Sequence, residues 1–99
     1  MKIYLSGPVT GTDDYKKRFA KAEDYLRMKY PGWSAVNPVS VCDRLPKDTT
    51  YNECMDVCLT LVKMCDAIYM MKGWEKSNGA KAECALAIAM GLNVYEEES

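Results

Sequence analysis

The sequence predicts an α/β domain in which a mainly parallel sheet of about four strands carries helices on both faces. Short apolar segments alternate with amphipathic helical segments along the chain. Short right-handed crossovers between such segments place the strands side by side and parallel. The length of 99 residues suits one domain spanning residues 1–99, and 48% hydrophobic with 27% charged residues is typical of a folded chain.

The first half of the chain contains two predicted strands and one predicted helix. An apolar run predicts a buried strand over about residues 2–6, which Gly7 and Pro8 end. Residues 33–36 predict a second short strand, whereas residues 39–48 show no periodicity and belong to a predicted loop. Between the strands, Asp13 or Asp14 can cap a helix whose apolar stripe is Tyr15, Phe19, Ala22 and Leu26.

The second half adds two helices and two strands. Thr50 and Glu53 match a capping box at the start of a helix over about residues 50–64. The alternation of strands and helices along the whole chain is the doubly wound arrangement of flavodoxin-like and Rossmann-like domains. The remaining predicted elements are a strand at 67–71, a loop at 72–78, a helix at 79–90, a strand at 92–95 and an acidic tail.

Three loops are expected to meet at the carboxyl edge of this sheet: residues 6–12, 37–49 and 72–78. Doubly wound domains bind their ligands outside that edge. The sequence therefore predicts a ligand site there.

Composition excludes several classes of function. The chain has no histidine, which removes Ser-His-Asp and Cys-His catalysis and histidine-ligated zinc. We expect no metal and no other cofactor. A net charge of -1 argues against a nucleic-acid polymer as partner. Five cysteines without the spacing of a disulfide scaffold indicate a reducing, cytoplasmic protein, and no apolar run is long enough to span a membrane.

Glu83 is the most informative residue because the helix around it is otherwise nearly all apolar. One interpretation places it on the solvent side near the positive helix end, and the other makes it a nucleophile at the sheet edge. Ser77 can cap the same helix, and Gly79 would let a ligand approach backbone N–H groups that favour an anion. Trp74, in the preceding loop, could stack on a base or serve as a lid or interface anchor.

An ordered set of motifs resembles the nucleoside 2-deoxyribosyltransferase superfamily, including its 2'-deoxynucleoside 5'-phosphate N-hydrolases and a short bacterial and phage branch. The likeness covers nearly the whole chain. The motifs are Ile3-Tyr4-Leu5-Ser6-Gly7-Pro8-Val9-Thr10-Gly11, Asn37-Pro38, Cys65-Asp66-Ala67-Ile68-Tyr69-Met70 and Gly73-Trp74-Glu75-x-Ser77-x-Gly79-Ala80-x-x-Glu83.

The resemblance implies an N-glycosidase or deoxyribosyltransferase that acts on a nucleoside or nucleoside 5'-monophosphate. Glu83 matches the glutamate that attacks C1' of the sugar, and Tyr4 matches a tyrosine near that nucleophile. Ser77 matches a phosphate-binding serine of the hydrolases, where the transferases carry an aspartate. Gly7, Pro8 and Val9 match the loop that lines the sugar or phosphate, and Asn37 stands where the second strand opens into the site.

One position departs from the family pattern. Many relatives carry an aspartate eight residues before Asp66, where it handles the proton on the leaving base, and this chain has Cys58 there. Losing such a group typically lowers a rate about 10²–10⁴-fold. A non-catalytic nucleotide-binding module and a purely structural subunit therefore stay open as alternatives. We also expect a homodimer or a larger even assembly, since the alanine-rich last helix allows close approach of a second copy.

Overall fold

The computed structural model of the protein describes residues 1–9 and 13–98. Part of the edge loop expected over residues 6–12 thus lies outside the described residues. The elements in chain order are β1 (Lys2–Ser6), α1 (Tyr15–Lys29), β2 (Ser34–Val36), α2 (Pro38–Cys42), α3 (Tyr51–Lys63), β3 (Ala67–Met70), a 3-10 turn (Trp74–Lys76), α4 (Asn78–Ala89) and β4 (Asn93–Glu96).

The four strands form one parallel sheet in the order β2-β1-β3-β4. β1 is central, and Tyr4 on it lies opposite Val36 on one side and Ile68 on the other. Each βαβ connection is a crossover, as parallel pairing requires. The predicted α/β fold is confirmed, and the strand order makes it flavodoxin-like.

Helices cover both faces of the sheet, and alternate residues of β1 feed two separate cores. Ile3 and Leu5 point towards α1, where Phe19 is buried. Tyr4 points to the opposite face, towards α3 and α4, and packs in a cluster that includes Val62 and Ala87. The period of two along β1 therefore assigns one core to each face of the sheet.

One local prediction was wrong, and a second is confirmed only in part. The stretch predicted as a loop contains α2, in which Asn37 is the N-cap and its Oδ1 accepts a hydrogen bond from the Val39 amide at 3.0 Å. Five residues are too few to show a helical period, although Asn followed by Pro is a known helix start. At α1, Asp14 occupies the N-cap position, but its side chain makes no capping hydrogen bond.

The caps predicted for the later helices are confirmed. Thr50 and Glu53 form the reciprocal capping box of α3, with hydrogen bonds of 3.1 and 2.8 Å. Ser77 Oγ accepts a hydrogen bond from the Ala80 amide at 3.2 Å and caps α4. Along the part of the chain that the structure describes, no helix has both the length and the apolar character needed to cross a membrane.

Gly7 fits its position because it lacks a side chain. A Cβ built on Gly7 would lie 2.9 Å from Cβ of Met71, an atom fixed to the backbone just beyond β3. We therefore expect Gly7→Ala to destabilise the protein by about 1–3 kcal/mol, the usual effect of overpacking. Urea unfolding of the two proteins measures this difference, and equal midpoints would contradict the close approach.

Candidate active site

A buried carboxylate lies at the centre of the site. Glu83, on α4, is only 6% exposed. The hydroxyl of Tyr4 donates a hydrogen bond to its Oε2 at 2.6 Å, and the hydroxyl of Ser6 donates one to its Oε1 at 2.6 Å. Both oxygens are thus held by short bonds of the charge-assisted kind. The solvent-facing interpretation of Glu83 is wrong.

The sequence explains why these three side chains meet. Tyr4 and Ser6 are two residues apart on β1, so both point to the α4 face of the sheet, and neither is exposed. Glu83 lies on the buried stripe of α4 with Ala80 and Ala87. The small side chains of these two alanines let α4 approach β1 closely enough for the hydroxyls of Tyr4 and Ser6 to reach the carboxylate.

Two opposing electrostatic effects act on the triad formed by Glu83, Tyr4 and Ser6. Burial raises the pKa of Glu83, and the hydrogen bonds from Ser6 and Tyr4 act to lower it. Burial also raises the pKa of Tyr4 far above its ordinary value, with the Glu83 charge adding to the effect. Tyr4 therefore stays a neutral donor, and each hydroxyl supports the ionised form of Glu83.

Glu83 opens onto a cleft of about 290 Å³ beyond the carboxyl end of β1. This volume is near the lower end of the range for small-molecule sites, and the lining is mainly apolar, as such sites usually are. The described residues that line it are Leu5, Gly7, Val9, Tyr15, Phe19, Pro38, Val39, Cys42, Asp43, Thr49, Tyr51, Cys54, Met55, Cys58, Ser77, Gly79, Ala80 and Glu83.

The start of α4 forms one wall of this cleft through Ser77 and Gly79. A Cβ on Gly79 would lie 3.2 Å from both the Tyr51 hydroxyl oxygen and the Met55 sulfur, so α3 uses the space that this glycine leaves open. The described lining contains no lysine or arginine, and its second carboxylate, Asp43, pairs with Lys16 at 3.2 Å.

Other residues predicted for the site lie around it. Tyr4 stands behind Glu83, whereas Gly7 and Val9 line the cleft directly. Pro8 and Trp74 are absent from the described lining: Pro8 packs near Gly73, and Trp74 packs against the core on the α4 side. Asn37 caps α2 and donates a hydrogen bond to Glu23 at 3.2 Å.

Cys58 occupies the position where the resemblance implies an aspartate. It lines the cleft, is 8% exposed and interacts electrostatically with Tyr4 and Glu83. Burial raises the pKa of its thiol, which leaves it mostly protonated near neutral pH. Among residues 1–9 and 13–98, no three histidine, cysteine or acidic side chains are grouped so as to hold a metal ion.

Sequence reasoning did not single out Ser6 as a site residue. The signal was present, because Tyr4 was implicated and Ser6 follows it by one strand period. Asp43 and Tyr51 were also missed. Their place at the cleft depends on how α2 and α3 pack, which local sequence patterns do not reveal.

The fold of the chain is similar to that of a solved structure. Its fold is similar to that of a 2-deoxyribosyltransferase from the psychrotolerant bacterium Bacillus psychrosaccharolyticus, with a TM-score of 0.75 and 20% sequence identity. The match covers 97% of this chain and 71% of that one. The chain thus has a deoxyribosyltransferase-like fold, and at this identity the likeness concerns the fold alone.

The family is established by the sequence itself. Residues 1–96 match a family described as a domain of unknown function, DUF4406, and the chain belongs to that family. No curated protein matches the sequence.

Proposed function

We propose that the protein cleaves the N-glycosidic bond of a nucleoside or nucleoside 5'-monophosphate, with Glu83 as nucleophile. The observation that supports this most is the buried Glu83 carboxylate on the cleft, held through both oxygens by Tyr4 and Ser6 at 2.6 Å. A carboxylate held in one orientation and shielded from bulk water is suited to attack at C1'. The likeness in fold to a deoxyribosyltransferase agrees with this chemistry.

The reaction proceeds in two displacements at C1', as in a retaining glycosidase. In the first, a carboxylate oxygen of Glu83 forms a bond to C1', the C1'–N bond breaks, and its electron pair leaves with the base. In the second, water or another base attacks C1' and the ester bond to Glu83 breaks, which restores the carboxylate. Water gives hydrolysis, and a second base gives transfer of the sugar.

The leaving base must acquire a proton to depart neutral. Cys58 is a poor substitute for the aspartate of relatives, because a thiol whose pKa is raised by burial gives up its proton reluctantly. Asp43 is the other carboxyl group on the cleft. We assign the exchange of this proton to Asp43 or to water in the cleft, and the apolar wall, including Tyr51, to the base.

The start of α4 provides the group that binds the 5' end of the substrate. Ser77 lines the cleft at the N-terminus of this twelve-residue helix, where backbone N–H groups and the helix dipole favour an anion. Because the described lining has no cation, a phosphate there depends on these N–H groups and on hydroxyls. We favour a 5'-monophosphate over a free nucleoside, because the start of α4 favours an anion and Ser77 adds a neutral hydroxyl there.

Replacing Ser77 by aspartate should separate the two substrate classes. Asp and Asn both cap helices well, so Ser77→Asp and Ser77→Asn keep α4, but only the first adds a negative charge. We expect Ser77→Asp to lower kcat/KM for monophosphates at least about tenfold through like-charge repulsion and to spare free nucleosides. Ser77→Asn is the control. Equal turnover of monophosphates by the Asp variant would remove Ser77 from the phosphate site.

The proposed function is tested by a chromatographic assay for free base. The panel contains ribo- and deoxynucleosides and their 5'-monophosphates, each with and without a second base as acceptor. We expect base release from deoxynucleoside monophosphates, and the acceptor distinguishes transfer from hydrolysis. Absence of release across the panel would contradict the proposed reaction.

The second candidate function is a non-catalytic module that binds and senses a nucleotide. The observation that favours it is Cys58 in place of the aspartate. Calorimetric binding of a nucleotide without any base release would support this function. Turnover that requires Glu83 would exclude it. Cytoplasmic location stays a prediction in both cases.

We further propose that two copies pair through the exposed apolar side of α4. Ala82, Ala85 and Ile88 lie on its solvent side, and Ile88 is 64% exposed. Small side chains allow close packing of a second helix, and exposed apolar surface favours it. We expect a dimer in sedimentation equilibrium that Ile88→Asp weakens at least tenfold. A wild-type monomer at high concentration would contradict the pairing.

A further inference from the structure

Three of the five cysteines line the candidate site together. Cys42, at the end of α2, and Cys54 and Cys58, on α3, form this thiol cluster on the cleft wall. The other two, Cys65 and Cys84, are buried and are not among the described lining residues. Most cysteines of this chain therefore lie on the wall of one cleft.

Two members of the thiol cluster are in contact. The sulfur atoms of Cys42 and Cys58 are 3.8 Å apart, although the residues are 16 positions apart in sequence. A disulfide needs the sulfurs about 2 Å apart. The two sulfurs must therefore approach by a further distance of under about 2 Å for the bond to form.

Cys58 connects the thiol cluster to the carboxylate. Its side chain packs in the same core cluster as Tyr4, and Tyr4 donates to Glu83 at 2.6 Å. A covalent bond from Cys58 to α2 would draw its sulfur away from the Tyr4 hydroxyl and remove the S–H group. The same bond would fix α2 to α3 and narrow the cleft between them.

We propose that Cys42 and Cys58 form a reversible disulfide that turns the candidate site off. Each thiol loses a proton and one electron as the S–S bond forms. A two-electron oxidant of the hydroperoxide class accepts both electrons and both protons and becomes an alcohol and water. A dithiol reverses the step by exchange, and is itself oxidised to its disulfide.

The resting state of the pair is reduced. Burial and the neighbouring Cys58 thiol raise the pKa of Cys42 to about 12, and burial raises that of Cys58. Since the thiolate is the reactive form, the pair reacts slowly with weak oxidants and persists as thiols in a reducing compartment. Oxidation of the pair therefore needs a strong oxidant or a long exposure.

The covalent half of this inference is tested without any assay of activity. The full-length protein is treated with the thiol oxidant diamide, and peptides are mapped by mass spectrometry without reduction. We expect one linkage, Cys42 to Cys58, lost after dithiothreitol and absent in Cys42→Ala, with Cys65→Ala as matched control. A linkage through Cys54, or five thiols left unoxidised, would overturn the assignment.

The regulatory half rests on the proposed function, and a second readout keeps the two separable. We expect oxidation to lower base release at least tenfold in wild type, with recovery on reduction, and to leave the rate of Cys42→Ala unchanged by the oxidant. The carbon-13 signal of the Glu83 carboxyl should also shift on oxidation, whether or not base is released. An unchanged carbon-13 signal in the cross-linked protein would overturn the proposed redox switch. Absence of base release alone would count only against the proposed function.

Discussion

Glu83→Gln should reduce base release by at least about 10³-fold, because an amide cannot form the glycosyl ester. Glutamine keeps the size of the side chain, and its amide oxygen still accepts a hydrogen bond from Tyr4 or Ser6, so the cleft keeps its shape. The measurement is single-turnover base release with the substrate that the panel identifies. Wild-type turnover by this variant would refute a nucleophilic role for Glu83.

The stability of the same variant provides its control. Burial raises the pKa of Glu83 in the folded protein, so between the unfolded and folded pKa values the folded state binds more protons. The contribution of Glu83 to stability therefore falls as pH rises through that window. Glu83→Gln lacks this loss, and we expect its stability relative to wild type to increase from acidic to neutral pH. Urea unfolding at several pH values measures the difference, and it also shows whether the variant folds.

Removal of either hydroxyl that holds Glu83 should slow the reaction only through its effect on the Glu83 carboxylate. Tyr4→Phe and Ser6→Ala each delete one donor to a buried charged group, an interaction of about 1.5–3 kcal/mol. We expect kcat at neutral pH to fall by about tenfold or more, because the pKa of Glu83 rises and its orientation loosens. Both hydroxyls lie outside the described cleft lining, so KM should change little.

The pH profile distinguishes this positioning role from a general structural defect. The acid limb of kcat should move to higher pH in both variants, since each loses a donor that favours the ionised carboxylate. Tyr69→Phe is the matched control, because Tyr69 is also buried on a strand but faces the α1 side. An unmoved acid limb in Tyr4→Phe and Ser6→Ala would limit these residues to packing.

The sequence was sufficient for the overall fold because its signals are local. Apolar runs such as residues 3–5 and 67–70 mark buried strands, and the pair Thr50 and Glu53 marks a helix start. These patterns depend on near neighbours alone. The sequence pattern did not predict the short helix α2, because five residues cannot show a period and its core contacts come from distant parts of the chain.

The site was only partly predictable for a related reason. An acidic residue in an apolar helix made Glu83 conspicuous, but its burial depends on whether hydroxyls from β1 reach it. The proximity of Cys42 and Cys58 and the presence of Asp43 at the cleft follow from the packing of α2 against α3. Tertiary geometry of this kind leaves no periodic trace in the sequence.

The hydrogen bonds to Glu83 join residues that are far apart in the sequence, and this affects how the protein folds. Tyr4 and Ser6 precede Glu83 by 79 and 77 residues, so no short fragment contains the completed triad. Contacts between residues so far apart in sequence slow folding, because closing the loop between them costs entropy. During synthesis the two hydroxyls leave the ribosome well before their acceptor. We therefore expect the Glu83 carboxylate to acquire both of its hydrogen-bond donors only once α4 has docked on the sheet.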